Sequence, residues 1–250
     1  MGRDASLSLS MTIEKRIMTG TIINVAAILL GGTVGLLFGS RIPERFKNTI
    51  IAGMGLFTVG MGVQMFLKSE NQLIVLGAIL IGTIFGEWLG IEERLQDFGL
   101  ALEKRFSSDN ESGTGSRFVR GFMVASLLFC IGPMAILGSI QDGLTGDYSL
   151  LAVKSTLDGF ASIAFASTMG IGVMFSSIII FFYQGGISLL AERLSTIISD
   201  PMMNEMTATG GVLLMGVGIS NLLELKKIRV GNFLPALVVA PLIVWVLGKL

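Results

Sequence analysis

IMTGTIINVAAILLGGTVGLLFG, residues 17–39, contains no ionisable side chain. About 20 consecutive apolar residues span a bilayer as a helix, and in lipid only helices and closed barrels satisfy their own backbone hydrogen bonds. No ten-residue alternating pattern of barrel strands occurs in the chain. Seven further apolar segments follow, at Thr49–Leu67, Leu73–Gly90, Phe118–Ile140, Leu150–Ser167, Met169–Leu190, Ala208–Leu223 and Phe233–Leu247. The expected fold is therefore all-α, a polytopic transmembrane helix bundle of about eight spans. Polar residues in the fifth segment leave an alternative of six spans plus a re-entrant pair.

The composition agrees. The chain is 52% hydrophobic and 14% charged, with mean hydropathy +0.76, against about 25% charged residues in soluble domains. Glycine, at 33 of 250 residues, lets helices approach closely in lipid. Gly31, Gly35 and Gly39 repeat every fourth residue, as do Gly82, Gly86 and Gly90, so each set lines one helix face for packing within the subunit or between copies in a homo-oligomer. Acidic and basic residues balance at eighteen each, which argues against a nucleic-acid partner. Histidine is absent and Cys130 is the one cysteine, so zinc, haem and histidine-based catalysis lack their usual groups. No cofactor is expected, and whether a hard cation binds at carboxylate and carbonyl oxygens stays open.

Residues 18–250 read as a single transmembrane domain, with residues 1–17 as an N-terminal extension and translation starting at Met18. The main polar stretch divides into an amphipathic interfacial helix, Glu92–Phe106, and a Gly/Ser-rich linker, Ser107–Ser116. With eight spans, one side receives eleven basic residues (Arg41, Arg45, Lys47, Arg94, Lys104, Arg105, Arg117, Arg120, Lys226, Lys227 and Arg229) against seven on the other. The richer side is cytoplasmic. No signal-peptidase pattern follows the first span, so that span is retained.

An internal repeat is visible. Residues 59–67 (VGMGVQMFL) align with 215–223 (MGVGISNLL), Gly31-Gly32 with Gly185-Gly186, and Ala78 with Ala236. Residues 18–90 and 169–250 would then form an inverted pair of three-helix units, flanking the interfacial helix and linker (91–117) and a central polar helix pair (118–167), an arrangement seen in secondary transporters.

The chemistry concentrates in that central segment. An ionisable residue at a helix centre costs about 2.5–3.5 kcal/mol on insertion scales and usually pairs or lines a path. Lys154 and Asp158, four residues apart, share a helix face and can form an ion pair. Burial favours the neutral form of a carboxyl and a nearby ammonium the charged form, so Asp158 is a candidate proton or cation carrier tuned by Lys154. Pro133 breaks the fourth span and can expose backbone ligands. Gln141 and Asp142 open a turn with Asp147 at the outer face, where Asp142 would line an entrance. Asn24 and Gln184, with Gln64 and Asn221, are amides within or near spans, and Glu87 snorkels to the interface.

Gly20–Asn24, Cys130–Met134, Gln141–Gly143, Thr145–Asp147, Lys154-Ser155, Leu157–Gly159, Tyr183–Gly185 and Lys226–Pro235 together resemble the YdfK/YqgA-like bacterial membrane family, a family of unknown function. The resemblance covers residues 18–250. It implies a multi-pass protein of the bacterial inner membrane, sometimes labelled a transporter, and brings neither substrate nor mechanism. Three functions follow for comparison: a secondary transporter or exporter of a small solute or cation, a non-transporting membrane partner or sensor, and an intramembrane aspartyl enzyme using Asp142 and Asp158.

Overall fold

The computed structural model describes residues 18–39, 41–106 and 114–249. The expected N-terminal extension and most of the expected linker lie outside them. The helices are α1 (Thr19–Gly39), α2 (Glu44–Phe66), α3 (Gln72–Leu89), α4 (Ile91–Phe106), α5 (Thr114–Cys130), α6 (Pro133–Thr145), α7 (Ser149–Met169), α8 (Gly172–Leu189), the short α9 (Ala191–Ser195), α10 (Asp200–Val217) and α11 (Ala236–Leu247). A π-helical turn, Gly218–Leu222, extends α10, and a 3-10 turn, Val230–Phe233, precedes α11. Six segments are long and apolar enough to cross a membrane, or seven if the bent α5–α6 pair is one span. The protein is an all-helical membrane protein.

Three boundaries differ from the sequence reading. Residues 141–145, expected as a turn, continue α6 to Thr145, and Gly146 then ends the helix in the left-handed conformation (φ 70°). Residues 114–116, expected as linker, belong to α5. The helix expected from Ala208 starts at Asp200, because Asn204 and Glu205 in its first turns have partners in the connection between α2 and α3.

Helix directions follow from the glycine contacts. Gly31, Gly35 and Gly39 of α1 lie against Gly159, Ile163 and Ser167 of α7. The four-residue step is the same on both helices, so they run parallel, and a methyl at any of the three would overlap a backbone carbonyl of α7. α8 is antiparallel to α1, with Gly32 on Met174 and Asn24 on Gln184. α10 is antiparallel to α2 through Gly62 on Gly211 and Gly218 on Gly55, and α11 to α3 through Gly82 on Ala236 and Gly86 on Asn232. Both glycine runs thus pack within the subunit.

The α5–α6 pair bends by 63° at Ile131-Gly132. Pro133 sits in the first turn of α6, where its missing N–H costs nothing. The pair nevertheless extends the length of α7, from Gly121 beside Met169 to Gly138 beside Leu151.

α4 is amphipathic, as expected. Its start is clasped to the turn before α11: the Glu92 N–H donates to Asn232 Oδ1 (2.7 Å), and the Gly231 N–H donates to the Glu92 carboxylate (2.6 Å). Arg229 bridges Glu87 and Glu93 beside it. Burial raises the Glu92 carboxyl above its ordinary value, against the lowering effect of the Gly231 hydrogen bond.

Two outcomes follow. Gly35→Leu should wedge α1 from α7 at a cost of about 1–3 kcal/mol or more, whereas Gly53→Ala, where an added methyl meets nothing, should be neutral. Thermal unfolding of the detergent-solubilised variants checks both. A raised folded-state value means that protonation of Glu92 favours the fold: this contribution is present below the ordinary carboxyl value and is lost as pH rises through the raised one, because burial penalises the charged form despite its Gly231 hydrogen bond. Glu92→Gln, whose amide oxygen still accepts from Gly231, should therefore unfold at a higher temperature than the parent at pH 7 and lose that advantage near pH 4–5.

Candidate functional site

α7 carries Lys154, Ser155, Asp158 and Ser162 on its buried face. Lys154 Nζ and Asp158 Oδ2 form an ion pair with side chains only 7% and 10% exposed. A pair this enclosed is desolvated, and such burial is offset only when further hydrogen bonds complete the geometry. They come from two other helices. Asn24 Nδ2 of α1 donates to Asp158 Oδ2 (3.0 Å) and to Gln184 Oε1 of α8 (3.2 Å). Both amides are fully buried. The Lys154 ammonium also lies 5.8 Å from the Phe129 ring centroid, in the last turn of α5 before the break, at cation–π range.

Local sequence explains the convergence. The four-residue step places Lys154 and Asp158 on one face. The glycine seam then brings α1 close enough for the short Asn24 side chain to reach a carboxylate on α7. The arrangement unites four of the residues singled out in the sequence, Lys154, Asp158, Asn24 and Gln184, but not Asp142, Gln141 or Pro133.

The other three lie elsewhere. Asp142 is fully buried, and its Oδ2 accepts the Gly20 N–H (3.1 Å). It caps α1 from a neighbouring helix, where a negative charge complements unpaired N–H groups and the helix dipole. Gln141 is exposed. Pro133 lines a cavity of about 10 Å³ against α2, α10 and α11, with Met65, Met206 and Leu237 among its walls, too small for a solute. Of the remaining polar positions, Asp147 is exposed and accepts the Ser149 N–H (3.0 Å), which with the Ser149 hydroxyl holds its carboxyl low. Gln64 is exposed, the Asn221 carbonyl accepts from Arg120 (2.9 Å), and Glu87 pairs with Arg229.

Sequence reasoning missed two sets of residues. Glu205 of α10 is buried and accepts from Ser69 Oγ (2.7 Å) and from the N–H groups of Glu70 (2.8 Å) and Asn71 (2.9 Å), fastening the start of α3. The second set is Thr21, Ser139 and Ser188, whose buried hydroxyls, like Asn24 Oδ1 and Gln184 Nε2, have no hydrogen-bond partner among the described residues. Thr21 lies one turn from Asn24 and Ser188 one turn from Gln184, so unused polar valence continues from the ion pair toward the Asp142 end. Their only sequence signal was hydroxyl groups inside apolar spans. Among the described residues, no three His, Cys, Asp or Glu side chains group as a metal site.

Fold and site define a polytopic helical membrane protein with an ion pair enclosed among three of its long apolar helices. The chain belongs to the family described as "Protein of unknown function (DUF554)", which matches residues 19–245. It is 32% identical to "Uncharacterized membrane protein YdfK" of Bacillus subtilis (strain 168), over 92% of this chain and 97% of that protein. It is 31% identical to "Uncharacterized protein YqgA" of Escherichia coli (strain K12), over 88% of this chain and 94% of that protein. No solved structure matches the chain.

Removing one partner of a buried pair leaves an uncompensated charge, at a cost of about 3–5 kcal/mol. Lys154→Met alone should therefore destabilise the protein more than Lys154→Met combined with Asp158→Leu. A double-mutant cycle on thermal unfolding measures the coupling.

Proposed function

We propose that this protein is a secondary transporter of a small solute in a bacterial inner membrane, with Asp158 as the residue that takes up and releases the coupling proton or cation. The observation that carries this reading is the enclosed Lys154–Asp158 pair bound to amides of α1 and α8. An isolated pair adds little stability when buried, and intramembrane ionisable groups mark ion and proton paths by default. Neutralising Asp158 removes the partner of Lys154 and frees one acceptor of Asn24. Loading the carboxyl thus loosens three helices at one point, the event an alternating-access cycle needs.

The surrounding architecture supports the same reading. Counting the bent α5–α6 pair and α10 with its π turn as crossings gives eight, since the pair runs the length of α7 and α10 lies along α2. In the inverted repeat, α1, α2 and α3 correspond to α8, α10 and α11, and each packs antiparallel to its counterpart. Aligning residues 59–67 with 215–223 matches Gly55 to Gly211 and Gly62 to Gly218, so that alignment exchanges the contacts Gly62–Gly211 and Gly55–Gly218, as an inverted repeat requires. Sites at such repeat interfaces are characteristic of secondary transporters, and α1 and α8, which supply Asn24 and Gln184, form one such matched pair. Arg41, Arg117, Arg120 and Arg229 lie at the end that also carries α4, which favours that end as the cytoplasmic one.

The aspartyl-enzyme reading has less support. A catalytic dyad shares a proton between carboxyls about 3 Å apart. Asp142 and Asp158 instead engage α1 at Gly20 and Asn24, about 6 Å apart along the helix axis, and Lys154 already neutralises Asp158. The partner or sensor reading rests on α4, which the Glu92 clasp holds to the bundle.

Proteoliposomes on a solid-supported membrane test the assignment without knowledge of the solute. A pH jump should produce a transient current from proton binding within the membrane field in the parent protein. Asp158→Asn should reduce it at least tenfold, while Asp147→Asn should leave it unchanged. An undiminished transient in Asp158→Asn would remove Asp158 from the role.

A further inference from the structure

We propose a second site, for a small phosphate-type oxyanion, in the cleft at the arginine-rich end of α1, α2, α5 and α7. A cavity of about 210 Å³ opens there, walled by Leu36, Gly39 and Phe118 on one side and Thr168 and Ile171 on the other. Among the described residues, its ionisable lining is Lys47 and Arg117, with no carboxylate. The cavity is smaller than the roughly 300–1,000 Å³ of drug-sized pockets, which suits an inorganic oxyanion or a single headgroup phosphate.

The charge balance favours an anion. Lys47 is drawn inward, its side chain only 14% exposed. The nearest carboxylate, Glu44, lines the adjoining cavity of about 140 Å³. Glu44 is 60% exposed and reaches Lys47 at 3.2 Å and Arg117 at 3.5 Å. Exposed pairs of this kind contribute about 0–1 kcal/mol, so an entering oxyanion competes with a weak partner. Arg120, on the wall of the second cavity, is already taken by Glu224 and the Asn221 carbonyl.

Backbone geometry adds to this. Gly170, with φ of 84°, turns the chain so that α8 starts at the cavity wall. The positive dipole end of that helix favours an anion, while the Val173 and Met174 N–H groups already donate to the Gly170 and Ile171 carbonyls. The carbonyl ends of α1 and α7 reach the same region and favour the cations, but Lys47 and Arg117 still leave one full positive charge beyond the Glu44 carboxylate. Arg117 offers a planar fork for two oxygens and Lys47 a point charge. The ligand is then a phosphate, either free or as the headgroup of an anionic phospholipid, with the apolar wall against its body.

The site stands independently of the transport reading, because its test reads binding alone. Full-length protein in phosphatidylcholine nanodiscs is titrated with inorganic phosphate by calorimetry, and protein from phosphatidylglycerol-containing membranes is examined for retained lipid by native mass spectrometry. Saturable phosphate binding, weakened at least tenfold in Arg117→Gln and further in Lys47→Gln/Arg117→Gln, supports the site with a free anion as ligand. Retention of phosphatidylglycerol that the same variants abolish supports it with a lipid headgroup. Arg193→Gln, on an exposed residue at the other end of the bundle, should match the parent in both assays. Arg117→Gln alone alters an exposed side chain, so loss of binding in a variant with unchanged thermal unfolding reads the site rather than the fold. Absence of both phosphate binding and lipid retention in the parent, or equal values in parent and Arg117→Gln, overturns the proposal.

Discussion

Everything at the centre of this molecule depends on how closely α1 can lie against α7. A backbone carbonyl of α7 is the nearest neighbour of each of Gly31, Gly35 and Gly39, so the two main chains lie in direct contact. Lipid supplies no hydrophobic force to press helices together, and such contacts rely on packing over small residues. The seam sets the depth at which Asn24 faces Asp158, and one added methyl would move a hydrogen bond that is now 3.0 Å long. The electrostatics of the ion pair therefore depend on a backbone approach that begins at Gly159, the residue next to Asp158.

Polar side chains at the helix ends do complementary work. Asp142 caps α1, Glu205 fastens the start of α3, and Glu92 receives the Gly231 N–H ahead of α11. Each carboxylate belongs to one element and closes the end of another. Their hydrogen bonds tie neighbours together at both ends of the bundle while glycine contacts do so within it, and the ion pair sits between.

Much of this was legible in the sequence because lipid makes unusually simple demands. Uncharged blocks of bilayer length must be helices, and Lys154 with Asp158 must share a face whatever surrounds them. Asn24 and Gln184 stood out as amides in apolar helices, although nothing along the chain said that they would meet. Asp142 was visible as a charge, but its partner is a backbone N–H distant in sequence, so its capping role appears only in three dimensions. The break at Pro133 was readable while its direction was not: the proline faces α10, and the Lys154 side of the break presents Phe129. The early start of α10 escaped because Asp200, Asn204 and Glu205 lower the hydropathy of its first turns. The hydroxyls of Thr21, Ser139 and Ser188 gave no positional signal, since serine and threonine are common in buried helices.

The position of Asp142 has a mechanical consequence. It lies on α6, the half-helix beyond the break, and holds the first turn of α1. A swing of α6 about Ile131-Gly132 would pull a buried carboxylate from its N–H partner and leave both ends unsatisfied, a penalty of about 1–3 kcal/mol or more for each group. The half-helix is a lever with a latch at its tip. The latch holds that tip against the first turn of α1.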